Sequence, residues 1–173
     1  MDASPEIKPA WERFIPGLEI GHRVLYYERV GSTMDVAWAL AERGMPHGSV
    51  VIARDQTQAR GQFNRSWVTA PNDSLALSVI AYPDRTIAAK LSILCGLAVV
   101  RGIEAITGVR PTIKWPNDVR MGMRKVCGIL VELRTDTTGS IRAIMGIGVN
   151  VNLDVSSYPE IRDTATSLRD ATG

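Results

Sequence analysis

The spacing of apolar and polar residues changes several times along the chain, and each change marks an element. RVLYYERV, residues 23–30, mixes aromatic and β-branched side chains and predicts a strand. STMDVAWALAERG, residues 32–44, predicts a helix. Ser32 or Thr33 can cap it, Asp35 lies in its first turn, apolar residues recur at helical spacing, and Gly44 ends it. SVVIARD (49–55) and SLALSVIAY (74–82) are apolar enough for two further strands. TIAAKLSILCGLAVVRGIEAITG, from Thr86 to Gly108, is the longest helical segment; being apolar on most faces, it is expected to lie buried between other elements. RPTIKWPNDV (110–119) predicts a strand broken at Pro116, and MGMRK a short turn at Gly122. VCGILVELR and IRAIMGIGVNVNL, joined by the polar TDTTGS, predict an antiparallel hairpin. The tail, SYPEIRDTATSLRDATG, is polar and weakly helical.

Residues 1–22, interrupted by Pro5, Pro9, Pro16 and Gly17, are expected to form an irregular lead-in to one domain over residues 23–173. The order of elements predicts an α+β fold: a mixed, largely antiparallel sheet with helices packed mainly on one face.

Composition narrows the function. The 173 residues are 45% hydrophobic, enough for a core, and the formal net charge of +2 gives no bulk argument for nucleic-acid binding. Cys95 and Cys127 both sit in apolar runs and read as buried thiols. With only His22 and His47 and no His/Cys cluster, no zinc site is expected. No apolar run approaches the roughly 20 residues of a membrane span. The opening MDASPEIKPAWERF does not resemble a signal peptide, so a cytoplasmic location is the expectation.

Three stretches combine glycine and polar residues beside strong strands, where binding groups are commonly carried. Ser32-Thr33 reads first as a plain helix cap and second as a helix start whose hydroxyls and N–H groups face a polar or anionic ligand group. DQTQARGQFNRSW, residues 55–67, is too polar and irregular for a core strand. Arg60 and Arg65 offer fixed donor forks suited to phosphate, Gly61 lets backbone N–H groups approach, and Trp67 can stack on a heterocycle or simply enter the core. In the third stretch, Trp115-Pro116 makes a stiff bend before Asn117-Asp118, and Lys125 precedes an apolar strand. Gly146 and Gly148 weaken a strand interior and suggest close approach of a ligand or of another backbone. Asn150 and Asn152 share one face of that strand, where a buried amide needs partners. Cations, an aromatic plate and glycine-lined walls suit an adenylate better than a metal or a Ser/His/Asp triad.

The ordered set STMD, QTQARGQFNRSW, KWPND, RKVCGILVE and GIGVNVN resembles the catalytic domain of biotin protein ligases, within the class II aminoacyl-tRNA synthetase-like superfamily, over about residues 24–172. The resemblance implies a two-step, ATP-dependent ligase. Biotin and ATP with Mg²⁺ give biotinyl-5′-AMP, and biotin then passes to a lysine of a biotin carboxyl carrier domain. By position, Ser32, Thr33 and Gln56 would hold the biotin head, and Arg60 and Gly61 would line the biotin and phosphate loop. Arg65 would meet the phosphates, Trp67 the adenine, and Asn117 and Asn150 the nucleotide. Lys125 would bind both the biotin carboxylate and the α-phosphate, and Gly128 and Gly146 would floor the tail channel. Lys125, Arg60 and Asp118 would be the catalytic set. The metal ligands stay unassigned. A lipoate or other acyl ligase and a non-catalytic adenylate binder are the alternative readings.

The family's small C-terminal β-barrel and N-terminal DNA-binding domain are not expected in this chain, while its dimeric habit admits a homodimer. Departures from the pattern concentrate in the loop. Met34 follows Ser-Thr where the family commonly has Asn. Ala59 replaces a glycine at a position expected to need positive φ. Gln62 replaces an arginine, and Phe63-Asn64 replace Arg-Gly. Loss of that arginine implies weaker retention of the adenylate.

Overall fold

The computed structural model describes residues 8–173. Eight strands form one open sheet: β1 (Trp11–Phe14), β2 (Arg23–Val30), β3 (Val50–Gln56), β4 (Ser74–Ala81), β5 (Thr112–Lys114), β6 (Asp118–Met121), β7 (Arg124–Thr135) and β8 (Ile141–Asn150). Their order across the sheet is β1-β2-β3-β4-β8-β7-β6-β5. Only β2 and β3 run parallel, because the helix α1 (Thr33–Glu42) carries the chain back between them. The other helices are α2 (Arg85–Ala88), α3 (Leu91–Thr107) and α4 (Leu168–Thr172). The α+β class with a mixed, largely antiparallel sheet is as expected.

Three local expectations are corrected. The segment taken for an irregular lead-in supplies the edge strand β1, paired with β2 and anchored by Trp11 stacking on Tyr26 at 5.0 Å; residues 1–7 of that segment lie outside the described residues. The helix expected from Thr86 divides into α2 and α3.

The third correction concerns the layers: α1 and α3 lie on opposite faces of the sheet. The central strands are apolar on both sides, as in Val50/Val51, Val79/Ile80 and Ile144/Met145, so both sides need cover. On one face Ala37, Trp38 and Ala41 of α1 pack over Val51, Ile80 and Ile144. On the other, Leu91, Cys95, Val100 and Ile103 of α3 pack over Val79, Val119, Cys127 and Met145. Each valine, leucine, isoleucine or methionine among them contributes about 1.5–3 kcal/mol when fully buried. Only one arc of α3 is used. Ile93, Leu94 and Leu97 stay exposed, because no described element covers the outer arc. No described helix is long and apolar enough to cross a membrane.

Both thiols face the α3 core, and burial pushes Cys95 up to about 11 and Cys127 up to about 12. A raised thiol pKa favours the neutral form in the fold. Its contribution to stability is therefore complete below the ordinary value of 9.0 and is lost as pH rises through 11 to 12. We expect neither thiol to react with iodoacetamide in the native protein at pH 8, and both to react after denaturation. Mass spectrometry of the alkylated protein reads this directly.

Candidate functional site

The face that carries α1 also carries the candidate site. Ser32 caps α1, its hydroxyl accepting from Met34 N. At the same helix start, Thr33 donates from its backbone N–H and its hydroxyl to Gln56 Oε1, at 2.8 and 3.1 Å, and accepts from Ser78 at 2.9 Å. Ser32 is thus the true cap, Thr33 is the first helical residue, and both lie at a cavity wall.

The loop after β3 folds back on itself. Arg60 and Ser66 form an antiparallel bridge, Gly61 N–H donates to Arg65 O at 2.7 Å, and Trp67 N–H donates to Ala59 O at 3.0 Å. Ala59 is not the left-handed residue of this loop. Phe63 is, at φ 57° and ψ 41°, and its side chain is almost wholly exposed. A bulky residue there costs about 1–2 kcal/mol. Arg60 reaches away from the loop to Asp35 at 2.6 Å and Glu132 at 3.4 Å. Hydrogen bonding to Asp35, with smaller help from Glu132, holds its guanidinium even more firmly charged than usual. Glu132 also accepts from Trp38 Nε1 at 2.7 Å, which ties the loop to α1 and β7.

Trp67 lies over two glycines of the sheet. A Cβ on Gly128 would sit 2.7 Å from its Cζ3, and one on Gly148 would sit 2.6 Å from its Nε1. The glycines therefore exist here for close approach. Gly146 does the same for Met34, whose Sδ would lie 2.8 Å from an added Cβ. Lys125 Nζ stands 4.9 Å from the Trp67 ring centre and 2.6 Å from Asp118 Oδ1. The bend at Trp115-Pro116, a cis peptide, turns Asn117 onto β7, where its amide donates to Ile129 O at 3.2 Å and its carbonyl accepts from Ile129 N–H at 2.9 Å. The tail clamps Lys125 from outside: Lys125 N–H donates to Thr164 O, and Thr166 N–H donates to Lys125 O, both at 2.9 Å. Asn150 donates to Thr166 O at 3.1 Å.

Two adjoining cavities result. A narrow one of about 50 Å³ runs between Ser32, Thr33, Gln56, Arg60, Gly61 and the floor of Gly128, Gly146 and Gly148. A wider one of about 660 Å³ is reached past Arg65, Asp118 and Asn150. Trp67, Asn117 and Lys125 line both. The residues assigned to biotin, the nucleotide and catalysis all line one or other of these adjoining cavities, whereas Asn152, beyond the end of β8, is exposed and lines neither. Three buried polar atoms on its walls have no hydrogen-bond partner: Trp67 Nε1, Arg120 Nε and Asn150 Oδ1. Native interiors rarely leave such atoms unmet, so water or a ligand is expected to reach Arg120 Nε and Asn150 Oδ1.

Asp35, Glu132 and Arg120 were not read as site residues. For Glu132 a signal existed, because alternation along β7 places it on the face of Gly128 and Leu130. Asp35 read only as a first-turn acid, and its reach to Arg60 depends on the loop path.

The α+β sheet thus carries a glycine-floored slot beside a cation-rich cleft. The chain belongs to the biotin/lipoate A/B protein ligase family, whose model matches residues 26–152. It is 37% identical over 157 residues to the bifunctional ligase/repressor BirA of Bacillus spizizenii, covering 89% of this chain and 48% of that protein. It is 34% identical over 149 residues to the biotin–[acetyl-CoA-carboxylase] ligase of Mycobacterium tuberculosis, covering 82% and 53%. Among solved structures, the biotin protein ligase of Aquifex aeolicus in complex with biotin and ATP matches at a TM-score of 0.72 and 33% identity, covering 87% of this chain and 61% of that one. The chain spans about half the length of the curated relatives it matches.

The Trp67–glycine contact gives a direct test. Gly148→Ala should push the indole off the sheet, costing about 1–3 kcal/mol of stability. The near-ultraviolet circular dichroism of the tryptophans should change with it, while the far-ultraviolet spectrum stays the same.

Proposed function

We propose that this domain forms biotinyl-5′-AMP from biotin and ATP and passes the biotinyl group to a lysine of a carrier domain. The observation that carries the reading is the placement of Lys125 at the junction of the narrow, glycine-floored cavity and the wider cationic one. The narrow cavity is assigned to biotin, with Ser32, Thr33 and Gln56 offering donors and acceptors to its ureido head; at about 50 Å³ it must widen, by a shift of the loop and Trp67, to take the whole molecule. Gly128 and Gly146, by letting Trp67 and Met34 lie low on the sheet, keep the floor flat along the path assigned to its tail. The wider cavity suits the nucleotide, with Trp67 and Asn117 toward the base and sugar and Arg65 toward the phosphates. Asn150 is buried beside it with an unused carbonyl oxygen.

In the first step a biotin carboxylate oxygen attacks the α-phosphorus and pyrophosphate leaves. Two anions must meet, and Lys125 at the junction offsets their repulsion and stabilises the charge that builds on the phosphoryl oxygens. Arg60, held by Asp35 and Glu132, fixes the loop wall along the biotin. Holding the reactants in line supplies much of the rate. Mg²⁺ enters with ATP as part of the substrate and screens the charge of the departing pyrophosphate. In the second step the carrier lysine attacks the acyl carbon, AMP leaves, and a proton must be taken from the amine. Asp118, 2.6 Å from Lys125, is the carboxylate of the central motif and is assigned to orient or deprotonate that amine.

Radiolabelled biotin, ATP, Mg²⁺ and a biotin carrier domain test the whole reading, with labelled carrier as the expected product. Adenylate without labelled carrier would instead identify a half-enzyme. No adenylate and no bound biotin would remove both readings. Asp118→Asn should slow transfer to the carrier more than adenylation; equal loss in both steps would sink its assignment. Gln62 lines both cavities as a neutral side chain. Gln62→Arg should slow release of the adenylate about tenfold, since a charge-assisted contact is worth roughly 1.5–3 kcal/mol. A filter-binding chase measures that off-rate.

A further inference from the structure

The wider cavity is lined by four cations, Arg65, Lys114, Arg120 and Lys125, against two carboxylates, Asp118 and Glu160. Lys125 is matched by Asp118. Arg120 forms no ion pair among the described residues, and its Nε is buried without an acceptor. The β6–β7 register makes the problem sharper, because it sets Arg120 directly across from Lys125, just past an irregularity between Val119 and Arg120. Like charges placed opposite each other on neighbouring strands destabilise the sheet. Val119, the residue before, is fully buried against α3, so Arg120 is turned to the cavity side. An arginine held against a lysine, with no carboxylate of its own, is the arrangement expected where a ligand supplies the negative charge.

Position along the strand says which part of the ligand. The row Lys114–Asp118–Gly128 borders the narrow cavity through Gly128. The next row outward is Thr112–Arg120–Lys125. Arg120 lies two residue steps beyond Asp118, about 7 Å along β6, and lines only the wider of the two cavities. We propose that Arg120 binds the terminal phosphates of the nucleotide and holds the departing pyrophosphate. That places a phosphate ligand on β6, outside the glycine/arginine loop. The identity of the anion rests on the adenylation reading; the presence of a polyphosphate site does not.

Wild type, Arg120→Met and Arg120→Lys are compared by calorimetric titration with inorganic pyrophosphate, with and without biotin, by titration with biotin alone, and by thermal unfolding. Arg120→Met should bind pyrophosphate about tenfold or more weakly, and Arg120→Lys should recover part of that loss. Biotin affinity should stay within about twofold of wild type in both. The melting temperature of Arg120→Met should rise by about 1–3 °C, since the opposed cations are gone. Unchanged pyrophosphate affinity in Arg120→Met overturns the proposal, as does absence of pyrophosphate binding by the wild type. A parallel fall in biotin affinity, pyrophosphate affinity and melting temperature marks a structural role and also overturns it. If pyrophosphate affinity depends on Arg120 but the wild type forms no adenylate, the polyphosphate site stands and the adenylation reading falls.

Discussion

Lys125 places an ammonium on a sheet face otherwise built to bury apolar side chains, and much of the site follows from how that group is held. An ammonium withdrawn from water loses hydration that only close partners can replace. Asp118 supplies a carboxylate at 2.6 Å, and the face of Trp67 supplies a second, weaker attraction at 4.9 Å. Neither partner would be in place without backbone that permits it. Trp67 lies this low because Gly128 and Gly148 have no side chains to lift it. Asp118 faces Lys125 because Asn117 binds the bend to β7 from both its amide and its carbonyl. The tail then grips the Lys125 backbone on both sides through Thr164 and Thr166.

A second charge is managed differently. Arg60 is satisfied by Asp35 and Glu132, so the loop that bears it is fixed to α1 and β7 before any ligand arrives. Such preorganisation reduces the ordering cost of binding. Arg65 and Arg120 instead lie on the wider cavity and form no ion pair among the described residues. The site thus divides into a wall whose charges are already neutralised and a cleft whose charges are not. That division is the one the proposed adenylation needs: an uncharged head along the wall, a carboxylate at the junction and a polyphosphate in the cleft.

Much of this arrangement is legible in the residues. Helical spacing with Ser32 and Gly44 at its ends marks α1, and a polar turn between two apolar runs marks the β7–β8 hairpin. The glycines of MGIGVNVN announce close approach, although not that the visitor is Trp67. Other features depend on long-range geometry that one strand of sequence does not carry. The exposed side of α3 is apolar and so reads as buried; whether it is covered depends on what packs there, not on its own periodicity. The strand at Trp11–Phe14 is stabilised by pairing with β2 and by Tyr26, against prolines that argue for irregularity. The left-handed residue of the loop is Phe63, since the bridge between Arg60 and Ser66 puts the tightest turn there and not at Ala59. Arg120 is an ordinary strand arginine until the register sets it across from Lys125.

Calorimetric titration with biotin, followed by ATP and Mg²⁺ on the biotin-saturated protein, tests the central claim most directly. The account predicts one biotin site per chain and, on adding ATP, a second event in which pyrophosphate appears and biotin ceases to exchange with the free pool. Biotin that binds but continues to exchange freely after ATP, with no pyrophosphate released, would contradict a site built to join a carboxylate to a nucleotide.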